Sequence, residues 1–202
     1  MKGTFAIATV SLFLYVGAHA ANAAEVDDSA KVLAEQVCAV CHGRGGRSAY
    51  PTTPNLAAQP RQYLAGKLRH FRDRSLAKPE SHIDVLGLSL MDDPMADALA
   101  RYYANQPAAD PIKADAALIA AGSKVYERGV PDKAVAPYGV CHGADAAGSW
   151  LFPRLAGQRA EYVERQLNLI QEHLRHSPLM HGIIKTMSAE DIKAVATFVQ
   201  SK

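Results

Sequence analysis

Cys38-Ala39-Val40-Cys41-His42 is the stretch on which the reading of this chain turns. C-x-x-C-H is the pattern by which a c-type haem is attached to protein. Two thiols at this spacing reach the two vinyl groups of one porphyrin, and the imidazole that follows then meets the iron. Cys-x-x-Cys also serves as a redox dithiol or as half a zinc site. A zinc site needs two further ligands, and the only other cysteine, Cys141, belongs to a second copy of the motif. The reading is therefore covalent haem c at Cys38 and Cys41, with His42 as proximal ligand.

The second copy is Tyr138-Gly139-Val140-Cys141-His142, with Tyr138 where the first cysteine should stand. Tyrosine forms no thioether, but Cys141 still can, and His142 can still bind iron. The expectation is a second haem held through Cys141 alone. The alternative is an empty or noncovalent site in which Tyr138 fills space.

The copies belong to a longer repeat. Pro54-Asn55-Leu56-Ala57-Ala58-Gln59 recurs as Pro153-Arg154-Leu155-Ala156-Gly157-Gln158, and Tyr63 recurs as Tyr162 at the same offset. Leu64, Leu68 and Phe71 lie at helical spacing, and so do their counterparts Val163, Leu167 and Ile170. Near the ends of the units Leu99-Ala100 and Tyr102 match Val195-Ala196 and Phe198. The spacing predicts opening helices over about 30–37 and 114–127, second helices over 62–74 and 161–175, and closing helices over 92–104 and 189–200. Ser188 is placed to cap the last one. No alternating run is long enough for a sheet, so the fold is all-α. The expected organisation is a signal peptide over 1–23, one domain over 24–106, a Pro-punctuated linker over 107–111 and a second domain over 112–202. Units of this size are marginal alone, so a porphyrin buried in each would add to its stability.

The sixth iron ligand distinguishes the two sites. In the second repeat Met180 follows His142 by 38 residues, in a turn-like loop before the last helix. A thioether there gives His/Met iron, which favours a raised potential and electron transfer. His176 and His181 are nearby rivals, read as solvated. In the first repeat Asp84 falls where Met180 should be, and His82 is the best replacement. Met91, Met95 or an open position are the alternatives, although Met91 matches Met187 and Met95 falls on the closing helix, as packing residues would. His70 reads as a surface residue.

Lys2, the apolar run Phe5 to Val16 and the Ala-x-Ala pairs at 18–23 form a secretory signal. Export with haem motifs points to the periplasm. The net charge of +2 shows no basic excess, so a nucleic-acid partner is not expected. Three cysteines cannot all pair, and all lie in the haem-like sites.

The double unit resembles the dihaem class I cytochromes c of the cytochrome c4 type. The resemblance rests on Cys38-Ala39-Val40-Cys41-His42-Gly43, on Pro54 to Gln59, on Phe152 to Gln158, and on Met180 before Ser188-Ala189-Glu190-Asp191-Ile192. It implies two tandem helical domains about a pseudo-twofold, with haem edges close enough for internal electron transfer. It implies a periplasmic carrier between a quinol-oxidising complex or dehydrogenase and a terminal oxidase or reductase, touching membrane respiratory complexes transiently. By the same resemblance the Pro54 and Pro153 carbonyls orient the His42 and His142 rings. Tyr138 and Asp84 depart from the pattern.

The leading expectation is thus a one-electron carrier with redox-protein donor and acceptor and no catalytic residue, since no small-molecule substrate site is evident. The alternative is a haem-bearing subunit of a periplasmic oxidoreductase, with an open iron in domain 1 near Asp84. A gas or redox sensor ranks last, because no output module is present.

Overall fold

The computed structural model describes residues 23–77 and 88–202. Residues 1–22, and with them most of the expected leader, lie outside the described residues, as do His82 and Asp84. Helices carry the fold. Among the described residues the only β-pairings are isolated bridges, Val130 to Val135 and Ser149 to Phe152.

Helix α1 runs over 23–42 without interruption, through a π-helical segment at Ala34–Cys38 and a final turn at Ala39–His42. It is longer at both ends than the spacing of apolar residues suggested. No glycine or proline interrupts 23–42, and the segment is rich in alanine, so nothing stops the helix before it has absorbed the Cys-x-x-Cys-His motif. Helices α2 (Arg61–Ala77) and α3 (Asp93–Ala104) complete the first unit. The second unit holds α4 (Ala116–Arg128), the one-turn α5 (Gly139–His142), α6 (Ala160–Gln171), α7 (Pro178–Ile184) and α8 (Ala189–Gln200).

Helix α6 stops at Gln171, short of the expected 175, because His173 turns left-handed at φ 58° and Leu174 and Arg175 both donate back to Leu169 O. Met180, expected in a loop, lies on α7. Pro178 opens that short helix with its fixed φ, and Ser177 O accepts from His181 N.

Caps fix the helix starts. Asp92 accepts from Met95 N, and Asp115 from Leu118 N. Ser188 and Asp191 form a capping box on α8. Partial burial opposes ionisation of Asp191, but the Lys133 ammonium and the Ser188 donors outweigh it and hold the carboxyl below its ordinary value. A depressed carboxyl stabilises the fold above the unfolded pKa and loses that contribution as pH falls through the native one. Asp191→Asn should therefore cost about 1 kcal/mol in urea unfolding at neutral pH, and the gap to the parent should close as pH falls through the native pKa of Asp191. A gap that persists in acid would show that charge is not what Asp191 contributes.

Two cores result, and they differ in composition. The first gathers Leu64, Met91, Leu99 and Tyr103 with many alanines, including Ala30 and Ala96. The second gathers Tyr126, Tyr138, Leu167, Ile184, Val195 and Phe198. In the second unit α4 crosses α8 closely at Gly122.

The units meet about a pseudo-twofold. Gln158 receives Asn55 N and donates to Asn55 O, while Gln59 receives Arg154 N and donates to Arg154 O. Asn55 Nδ2 adds a bond to Gly157 O, Arg159 Nε one to Ser48 O, and Tyr63 N one to Trp150 O.

Candidate functional site

Cys38 closes the π segment of α1, and Cys41 and His42 occupy its last turn, so one helix end presents all three side chains. A π-helical segment inside an α-helix frequently marks a functional site. His42 Nδ1 lies 2.9 Å from Pro54 O. A carbonyl oxygen only accepts, so Nδ1 carries the proton and Nε2 keeps its lone pair. Burial pushes the His42 pKa down, and the Pro54 bond works against that shift. The neutral imidazole a metal requires is therefore the form this site favours. Burial raises the Cys38 thiol pKa, and the nearby Tyr103 hydroxyl partly offsets this. That hydroxyl is itself buried without a hydrogen-bond partner of ordinary geometry.

The second site repeats the geometry with one change. His142 is buried at 4% exposure, and its Nδ1 lies 3.0 Å from Pro153 O. Tyr138, also buried, stacks on the His142 ring at 6.3 Å between centroids, and Phe152 meets that ring edge-on at 6.1 Å. The Tyr138 hydroxyl donates to Met187 Sδ at 3.0 Å, and burial pushes its pKa upward. Tyr138 thus occupies the core of the second unit, and Cys141 beside it stays partly exposed.

Met180 is half-buried and packs against the second core. His181 differs from the solvated residue expected: it is half-buried, its Nδ1 donates to Ile170 O at 3.0 Å, and its ring lies 3.8 Å from that of His173. His176 is exposed. Met91 and Met187 are core residues, and Met95 packs beside the first core. His70 is exposed on α2.

Among the described residues no three His, Cys, Asp or Glu side chains converge to hold a bare ion. Each site offers one imidazole with a free Nε2, with two thiols beside it in the first and one, Cys141, in the second. Such a set fits an iron whose equatorial plane is already filled by porphyrin nitrogens, which needs protein only at the axial positions and at its edge.

In the residue order Gln59 and Gln158 stand only as matched positions of the repeat. The signal was there: a glutamine recurring at the offset of the two prolines. What the spacing could not reveal is that each glutamine reaches the other domain.

These features define a c-type cytochrome of two tandem helical domains. No protein-family model matches the chain. Cytochrome c4 of Thiocapsa roseopersicina is 34% identical over 190 residues, spanning 90% of this chain and 96% of that protein. A thiosulfate dehydrogenase electron acceptor of Thiomonas intermedia is 32% identical over 218 residues, spanning 100% of this chain and 92% of its own length. The crystal structure of reduced recombinant cytochrome c4 from Pseudomonas stutzeri superposes with a TM-score of 0.78 at 28% identity, over 86% of this chain and 97% of that one. The chain belongs to the cytochrome c4 family, and its function is electron transfer.

Proposed function

We propose that the chain is a periplasmic carrier, exported by a leader cleaved near residue 23, that holds haem c in both domains. Cys38, Cys41 and His42 hold one group; Cys141 alone and His142 hold the other, with Met180 as its sixth ligand. For domain 1 the sixth position falls to His82, a methionine, or an exchangeable ligand. The observation that carries this reading is the matched pair of histidines, each donating Nδ1–H to a proline carbonyl and keeping Nε2 free beside a cysteine. Haem supplies the one-electron couple. The protein's part is to fix the imidazole planes through Pro54 and Pro153, to anchor the porphyrin edge by thioethers, and to exclude water with the two cores. Intact mass of the mature protein, made with a working cytochrome-maturation system, should report two covalent haems and the cleavage point together. A mass with one haem would remove the domain 2 assignment; a mass with none would remove the whole reading.

Tyr138→Cys tests the single thioether directly. A restored Cys-x-x-Cys-His should move the reduced pyridine haemochrome band of domain 2 to shorter wavelength, toward that of a doubly linked haem. A parent band at the position of haem with no thioether would mean that Cys141 anchors nothing.

A second reading concerns the donor. The Thiomonas relative is named for accepting electrons from a thiosulfate dehydrogenase, so a periplasmic dehydrogenase acting on a small sulfur oxyanion is a fitting donor for this chain. Mixing the oxidised protein with such a dehydrogenase and thiosulfate should reduce it, one electron per haem. Failure to reduce it, with quinol-linked donors still active, would return the carrier to the respiratory chain.

A further inference from the structure

Pro54 and Asn55 share one peptide unit. Its carbonyl accepts from His42 Nδ1 at 2.9 Å, and its N–H donates to Oε1 of Gln158, in the other domain, at 2.8 Å. The mate is the peptide unit of Pro153 and Arg154. Its carbonyl accepts from His142 Nδ1 at 3.0 Å, and its N–H donates to Oε1 of Gln59, again from the opposite domain, at 3.0 Å. Each carboxamide is gripped a second time, Gln158 Nε2 by Asn55 O at 3.1 Å and Gln59 Nε2 by Arg154 O at 2.9 Å. Asn55, Gln59 and Gln158 are buried, so water cannot take the place of a lost bond.

We infer that each glutamine is a positioning residue for the proximal histidine of the opposite domain, so that two crossed hydrogen-bond relays couple the iron sites through the interface. The inference rests on His42 and His142 being the proximal ligands.

The physical basis is cooperativity within a peptide unit. When the amide N–H donates to a glutamine oxygen, negative charge concentrates on the carbonyl of the same unit. A stronger acceptor draws the Nδ1 proton and makes the imidazole more basic at Nε2. A more electron-rich axial imidazole favours ferric iron and so lowers the potential. Gln158 therefore acts on domain 1 and Gln59 on domain 2. If the glutamines served only as interface glue, their loss would affect both domains alike.

The test uses the full-length haem-loaded protein carrying Gln158→Met or Gln59→Met, near-isosteric changes that remove the acceptor. Two quantities are read: the potential of each haem by spectroelectrochemical titration, and the His42 and His142 ring N–H resonances in the ferrous, diamagnetic state. Gln158→Met should raise the potential of the domain 1 haem and move the His42 resonance, leaving His142 in place. Gln59→Met should move the His142 resonance and, with it, the domain 2 potential. Gln158→Glu, which keeps the accepting oxygen and adds charge, should shift the domain 1 haem downward and covers the case in which the methionine variant does not fold. Shifts confined to the substituted domain, equal shifts in both, or no shift would overturn the relay. A colourless product would sink the haem reading instead, so the two failures are distinguishable.

Discussion

A chain with both Cys38 and Cys41 changed to alanine should lose the domain 1 haem and, with it, the folded state of that domain. The reason lies in the first core. Among the described residues six of its ten buried members are alanine, and the rest are Leu64, Met91, Leu99 and Tyr103. Burying an alanine methyl removes little apolar surface, while a Leu or Phe side chain contributes roughly 1.5–3 kcal/mol. A small domain with such a core depends on whatever else fills it. The porphyrin proposed for this domain would supply that filling, and its loss would remove the stabilisation that binding the native state confers. The second core has only four alanines among seventeen members, and Tyr138 adds a large ring at the position where a thioether is missing. Cys141→Ala should accordingly leave domain 2 folded. Limited proteolysis with intact-mass mapping would read both variants: early cleavage within α1 to α3 for the double variant, and resistance across α4 to α8 for Cys141→Ala. Equal resistance in both would show that the alanine-rich core stands without haem.

Gly122→Ala should destabilise domain 2 by more than most core substitutions do. An ideal Cβ at Gly122 would lie 2.0 Å from Ala194 O and 2.7 Å from Phe198 Cβ. The first contact is with backbone and cannot be relieved by a rotamer change, so α4 and α8 must separate. Overpacking typically costs about 1–3 kcal/mol and occasionally more. Helix propensity acts in the opposite direction, worth about 1 kcal/mol in favour of alanine. The clash should win because it opens the contact that buries Val195, Phe198 and Val199. Gly66 on α2 is the internal control: it is exposed and nothing lies within 4 Å of a Cβ built there. Gly66→Ala should stabilise by up to about 1 kcal/mol through propensity alone. Urea midpoints at unchanged slope would report both signs. A stabilised Gly122→Ala protein would mean that the two helices pack more loosely than this crossing.

Much of the architecture was legible in the residue order. Helix positions followed apolar spacing, and Ser188 announced its cap. The misplaced boundaries have local causes that periodicity does not carry. Helix α1 continued because alanines are neutral to an apolar pattern yet strong helix formers. Helix α6 stopped at Gln171 because the left-handed His173 just beyond ends a helix whose apolar spacing continues. Met180 joined a helical turn because Pro178 suits a first position as readily as it suits a loop. The substitution at Tyr138 was visible, but not its consequence: a hydroxyl on Met187 and a ring on His142 depend on how α5 and the turn before α8 pack together.

Covalent attachment would need only neighbours in the chain, so the proposed attachment positions at Cys38, Cys41, His42, Cys141 and His142 stand out in the residue order alone. The duplication was equally plain, since a repeat is a property of order alone. The facing of the two halves was not. Gln59 reaches Arg154 and Gln158 reaches Asn55 only because two folded domains present these residues to each other, and a hydrogen bond between residues 95 to 103 positions apart has no trace in local spacing. The choice of Tyr138's partners was likewise made by packing, because a buried hydroxyl takes whichever acceptor the surrounding core brings within reach.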